Sequence, residues 1–156
     1  MLIKMNKNPL TLALKKLSVR AYSEKELENF LVKYGFSREQ IKEVLAQLLS
    51  WGYLNDQRYA ANLINHYTNY KQYGYFFLYK KLQEKGIPEQ IIISVLTDYD
   101  QQEELERARR LAEKYLANKV KQKSAEQLKN MLARHLSRKG FLTANIMTII
   151  NENFTY

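Results

Sequence analysis

With 156 residues, no cysteine and two prolines, the chain can bury one good core or a row of small ones, and it holds neither a disulfide nor a thiolate metal site. Its 25 basic and 16 acidic residues leave a formal charge of +9, which calls for an anionic partner: nucleic acid, an acidic protein face or a membrane surface. No run of 18 apolar residues occurs and Met1 to Asn8 lacks a signal-peptide apolar core, so no membrane span and a cytoplasmic location are expected.

Residues 1–8 are expected to be loose. A helix opens near Pro9 and lines up Leu10, Ala13, Leu14 and Leu17 on one face. Ser23 with Glu26 three residues on forms a capping box for a second helix, whose face is Leu27, Phe30 and Leu31 and whose stop is Gly35. Ser37 with Gln40 repeats the box, and a third helix carries Ile41, Val44, Leu45, Leu48 and Leu49 to Gly52. Gly52 suits a left-handed helix stop, because only glycine turns that way without a Cβ clash. Tyr53 and Leu54 are expected to supply the apolar contact that accompanies such a cap. Asn55 caps the next helix, Asp56 lies in its first turn against the positive end of the dipole, and Tyr59, Ala60, Leu63, Ile64 and Tyr67 begin its apolar face.

The pattern then repeats. Leu27-x3-Leu31-x3-Gly35-Phe36 is matched by Leu78-x3-Leu82-x3-Gly86-Ile87 and by Leu132-x3-Leu136-x3-Gly140-Phe141, with isoleucine (Ile41, Ile92, Ile146) six residues beyond each glycine. Pro88 suits a first helical turn, and Ser124 with Gln127 forms another capping box. A long helix from about Gln102 to Val120 puts Leu105, Ala108, Leu111, Ala112, Tyr115 and Leu116 inside. These spacings predict an all-α fold of three tandem three-helix repeats, 9–53, 54–101 and 102–156. The units are helix-turn-helix-like and are expected to pack side by side into an elongated, curved array, because each core is small alone.

Nothing in the chain is arranged for catalysis. His66 and His135 lie in different repeats without a partner at metal-ligand spacing, and Asp98 and Asp100, two apart, do not share a helix face. Gly35, Gly52, Gly86 and Gly140 serve as helix stops and Gly74 sits where a helix begins, so none is left to cradle a phosphate. The expectation is a protein that is not an enzyme and takes no metal or cofactor. Charge placement says more. The third helix of each repeat, which in a base-reading helix-turn-helix would enter the major groove, carries 0, −3 and −1. The cations Lys15, Lys16, Arg20, Lys80, Lys81, Lys85, Arg107, Arg110, Lys129, Arg134, Arg138 and Lys139 lie on first and second helices, a pattern suited to backbone or protein-filament contact. Tyr67, Tyr70, Tyr73, Tyr75, Phe76, Phe77 and Tyr79 form an aromatic cluster. Phe76 and Phe77 cannot both join the face of Tyr75, Leu78 and Leu82, so at least one of them is expected outside.

Ala13-Leu14-x2-Leu17-x2-Arg20-x2-Ser23-x2-Glu26-Leu27 and Gly52-Tyr53-Leu54-Asn55-Asp56-x-Arg58-Tyr59-Ala60, followed by Gly74-x3-Leu78-x3-Leu82-x2-Lys85-Gly86-Ile87 and Arg138-Lys139-Gly140-Phe141, resemble the RecX family, regulators of the RecA recombinase. The resemblance runs from about residue 10 through nearly the whole chain. Asn55 and Tyr59 stand where the family usually has Asp and Phe, and Phe76, Phe77 and Tyr79 stand where it commonly has basic residues. The resemblance implies a monomeric partner of the RecA filament, lying along its groove on single-stranded DNA and restraining its recombinase, ATPase and co-protease activities. It also implies that Gly52, Tyr53, Leu54, Asp56, Arg58 and Tyr59 form a structural corner. A helical-repeat protein that binds DNA without RecA is the alternative, and a helical adaptor that binds only protein is a third.

Overall fold

The computed structural model describes residues 8–119 and 123–155. Of the residues 1–8 expected to be loose, 1–7 lie outside them, while Asn8 is held as the cap of the first helix. The helix expected to run to Val120 already ends at Ala117, with Asn118 as its cap. The described residues form helices and connecting turns only: α1 (Pro9–Leu17), α2 (Glu24–Lys33), α3 (Arg38–Ser50), α4 (Asp56–Asn69), α5 (Tyr75–Glu84), α6 (Glu89–Leu96), α7 (Gln101–Ala117), α8 (Ala125–Arg138) and α9 (Thr143–Phe154).

The helices begin where side chains can satisfy the free N–H groups of a first turn. The Asn8 side chain accepts from Leu10 and Thr11 ahead of Pro9. Ser23, Ser37 and Ser124 each complete a reciprocal box with Glu26, Gln40 and Gln127. Asp100, one of the two aspartates weighed as a metal pair, accepts from the Glu103 N–H and opens α7. The helices end at the expected glycines, each with positive φ, and the residue after the glycine donates back five positions: Phe36 to Leu31, Tyr53 to Leu48, Ile87 to Leu82 and Phe141 to Leu136. At Gly52 the expectation needs correction. Tyr53 is 57% exposed and meets Trp51 edge-on, while Leu54, at 2%, is the residue that enters the core.

The chain divides into two compact units. Unit 1 holds the described residues up to Asn62 together with Leu82–Ser94. Its core is Ala13, Leu27, Leu31, Ile41, Val44, Leu45, Leu48 and Leu54, where α1, α2 and α3 meet. Unit 2 holds Leu63–Lys81 and the described residues from Val95 onward. Its core is Ala108, Ala112, Leu132, Leu136, Phe141, Ile149 and Ile150, built from α7, α8 and α9, with Leu105, Leu111, Tyr115 and Leu116 of α7 against it as their spacing predicts. The boundary falls within α4, α5 and α6, so the stretch read as the middle repeat contributes to both units.

Candidate functional site

The corner at residues 52–60 is a fastening point. Asn55 caps α4 by accepting the Arg58 N–H at 2.9 Å, and the Arg58 guanidinium donates to the Gly52 carbonyl at 2.9 Å. Asp56 does more than sit in the first turn of α4. It is buried, and its carboxylate accepts the N–H of Glu24, the first residue of α2, at 2.9 Å. Burial pushes the Asp56 carboxyl up, against the Glu24 N–H that holds it down. The Tyr59 hydroxyl donates to Glu26 at 3.0 Å.

Glu26 is the hub of unit 1. Besides Tyr59 it accepts the Ser23 N–H at 3.1 Å and the Lys85 ammonium at 2.7 Å, and Arg20 stands 3.4 Å away. Burial pushes its carboxyl up, but Lys85, Ser23, Arg20 and Tyr59 together outweigh burial and hold it below the ordinary value. The Ser23 hydroxyl also donates to the Lys85 carbonyl, and a Cβ at Gly86 would stand 2.4 Å from the Cβ of Lys25. The start of α2 and the end of α5 are therefore in direct contact.

Unit 2 uses the same joint. Glu104 of α7, fully buried, accepts the N–H of Tyr75, the first residue of α5, at 2.8 Å, as Asp56 does for α2. It also accepts the Tyr99 hydroxyl at 2.8 Å, the Leu142 N–H at 3.1 Å and the Asn145 amide, so one carboxylate serves the starts of α5 and α9. The start of α5 meets the end of α8: Gly74 N–H donates to the Lys139 carbonyl at 2.9 Å, and Phe76 N–H to the Gly140 carbonyl at 2.8 Å. A Cβ at Gly140 would stand 2.3 Å from the Phe77 backbone nitrogen. In each unit, then, a carboxylate from the first helix of one repeat caps the central helix of the repeat before it, and a central-helix end closes on that same N-terminus.

One expected contact residue belongs to this joint. Arg107 is 3% exposed, donates to the Tyr99 hydroxyl at 2.8 Å and lies 3.6 Å from Glu103, so it is interior and not a surface cation. The signal was available: Glu104, Ala108, Leu111, Ala112 and Tyr115 share one helical face, which places a carboxylate among apolar residues and invites a buried partner one turn on. Tyr99 was not singled out by its sequence at all. Burial and the charge of Glu104 push its hydroxyl far up, which keeps it a donor.

The remaining cations separate by unit. In unit 1, Lys15 is exposed, Lys16 lies 4.7 Å over the Phe30 ring, and Arg20 lies 3.5 Å over Tyr22, with Arg20 and Lys85 converging on Glu26. In unit 2, Lys80, Arg110, Lys129, Arg134 and Arg138 are exposed, while Lys81 and Lys139 are half-buried. The Lys139 ammonium stands 4.3 Å over the Tyr73 ring. His135 stacks on Tyr115 at 4.3 Å, and burial followed by Lys139, Arg138 and Lys119 pushes its imidazole down. Phe76 is 53% exposed, while Phe77 stacks on Tyr73 at 3.7 Å; of the pair, one lies outside, as the spacing predicts.

Comparison with known proteins gives a consistent picture. Family descriptions of the RecX first and second three-helix domains match residues 10–48 and 55–96. The regulatory protein RecX of Pelodictyon phaeoclathratiforme is 35% identical over 132 residues, covering 85% of this chain and 80% of that protein. Those of Bacillus licheniformis and Streptococcus pneumoniae serotype 19F are 34% identical over 140 and 130 residues, covering 90% and 83% of this chain. The chain spans about half the length of these two relatives, 53% and 49%. The crystal structure of RecX from Lactobacillus salivarius is similar with a TM-score of 0.83 and 30% identity, covering 92% of this chain and 93% of that one.

Proposed function

Given that the chain belongs to the RecX family, we propose that it binds the filament formed by the RecA recombinase on single-stranded DNA. There it restrains recombination, ATP hydrolysis and co-protease activity, as a regulator with no catalysis of its own. The observation that carries this reading is the placement of charge. Helices α6 and α9, which would read bases in a helix-turn-helix protein, contain no lysine or arginine, whereas α7 and α8 expose Arg110, Lys129, Arg134 and Arg138. Cations on supporting helices suit phosphate backbones and acidic protein faces and do not suit base edges. Several such weak contacts held on one chain add as avidity.

The test is DNA-dependent ATP hydrolysis by RecA on single-stranded DNA, titrated with this protein at physiological salt. Hydrolysis should fall at well below one chain per RecA, and the double variant Arg134→Glu, Arg138→Glu should require several-fold more protein while keeping the wild-type circular dichroism. Unchanged hydrolysis together with tight binding to naked duplex DNA would overturn the proposal in favour of a DNA-binding protein that acts without RecA.

A further inference from the structure

The turn between α4 and α5 presents an aromatic ring in an unusual way. Tyr70 is 79% exposed, with its ring 5.9 Å from that of His66 and tilted by 36°. An isolated exposed tyrosine needs no explanation. This one, however, stands two residues before Gln72, which has φ +55 and is the one non-glycine with positive φ among the described residues. Such a conformation costs about 1 kcal/mol and persists only where the surroundings enforce it.

Here they do. Tyr73 N–H reaches back to the Tyr67 carbonyl at 3.0 Å, and Gly74 N–H is fixed on the Lys139 carbonyl at 2.9 Å. Tyr73 and Phe77 are stacked at 3.7 Å with Tyr67 edge-on to both. Tyr70 thus projects from a turn whose backbone is already fixed, so little backbone ordering is left to be lost on binding.

Cations lie in the turn itself and on the helix end to which it is bonded. Lys71 follows Tyr70 and is exposed, Arg138 is exposed, and Lys139 reaches over Tyr73 at the end of α8, against which the turn is hydrogen bonded. An exposed aromatic face with a cation beside it in the turn, and others on the helix end to which that turn is bonded, fits a nucleobase joined to phosphates, the combination that single-strand binding surfaces use. A duplex keeps its base faces stacked on one another and cannot offer one.

We propose that the α4–α5 turn and the end of α8 form a seat for single-stranded DNA, in which Tyr70 stacks on a base while Lys71, Arg138 and Lys139 hold the adjoining phosphates. The seat deepens the reading of the chain as a protein of single-stranded DNA but requires no RecA, so it is tested without it. The measurement is fluorescence anisotropy of an end-labelled oligo-dT, and of a duplex of equal length, over a range of salt.

Tyr70→Ala should weaken oligo-dT binding about 5- to 150-fold, from the roughly 1–3 kcal/mol of one base–aromatic stack, while Tyr70→Phe stays near wild type. The slope of log affinity against log salt should be unchanged in Tyr70→Ala and about 0.7 shallower in Lys71→Gln, the single-strand increment for one phosphate contact. Duplex binding should not respond to Tyr70→Ala. Wild-type affinity for oligo-dT in Tyr70→Ala, an equal loss on the duplex, or no binding of the wild-type protein to oligo-dT at low salt would each overturn the seat. None of these outcomes bears on inhibition of RecA hydrolysis, so the two proposals fail separately.

Discussion

Two glycines in equivalent sequence positions have different tasks. Gly35 and Gly140 both end a central helix with positive φ, but a Cβ at Gly35 meets nothing within 4 Å, whereas one at Gly140 strikes the Phe77 backbone. Gly35→Ala should therefore cost only the left-handed penalty of about 1 kcal/mol. Gly140→Ala must also move one helix end off another and should cost about 2–4 kcal/mol, the overpacking penalty being added. Urea unfolding of the two variants checks this, and equal losses would mean that the contact at Gly140 is easily relaxed. The sequence shows the shared pattern of these glycines but not the difference. Spacing along a chain reports the helix stop, while the neighbour that fills the space comes from more than sixty residues away.

At the level of helices, the starts and stops were legible because they depend on local chemistry. Ser-x-x-Glu/Gln and a terminal glycine act within one turn, and the boxes at Ser23, Ser37 and Ser124 formed as spelled. Asp56 and Glu104 were not legible in their main role, because each caps a helix to which it does not belong. Arg107 was legible only indirectly: its charge suggests a surface, while the carboxylate of Glu104 on an apolar face one turn before it calls for a buried partner, and Tyr99 and Glu103 hold it inside. Glu104→Ala would strip the Tyr75 and Leu142 N–H groups and the Tyr99 hydroxyl of one shared acceptor. Unsatisfied buried donors cost about 1–3 kcal/mol each and are not additive, so a loss of about 3–5 kcal/mol is expected. Hydrogen exchange should show protection lost first at the starts of α5 and α9, ahead of the middle of α8. Uniform loss across unit 2 would instead assign Glu104 a packing role alone.

At the scale of the whole molecule, the shifted groups set the pH range in which the protein holds. His135 binds its proton less readily folded than unfolded, because of burial and then Lys139, Arg138 and Lys119. The unfolded chain therefore takes up that proton first, near the ordinary value of 6.5, and stability falls as pH drops through that region. Glu26, held below its ordinary 4.5, contributes stability that is present above that value and is lost as pH falls further through its folded value. Asp56 and Glu24 are raised, by burial first, and act in the opposite sense, easing the folded state as they protonate. The expected profile falls in two steps below neutrality. His135→Asn should flatten the step between about pH 7 and 5, and Glu26→Gln the one below about pH 4.5, as read from denaturation midpoints across pH. A wild-type midpoint that is level from pH 7 to 5 would mean that His135 is not held apart from its proton.

The joint that recurs in the two units has one further property, which follows from its being unlike at its two faces. The N-terminal end of one central helix receives the C-terminal end of the next, with a carboxylate and a glycine as the specific parts. A contact between two different faces sets no limit on how often it can be copied, whereas a contact between identical faces is complete after two. A duplicated stretch of some fifty residues would arrive with both faces already matched to its neighbours, provided those two residue types survive. Growth or shrinkage of such a chain by whole repeats is thus nearly free of new design, and the joint is where a lengthened version would first succeed or fail.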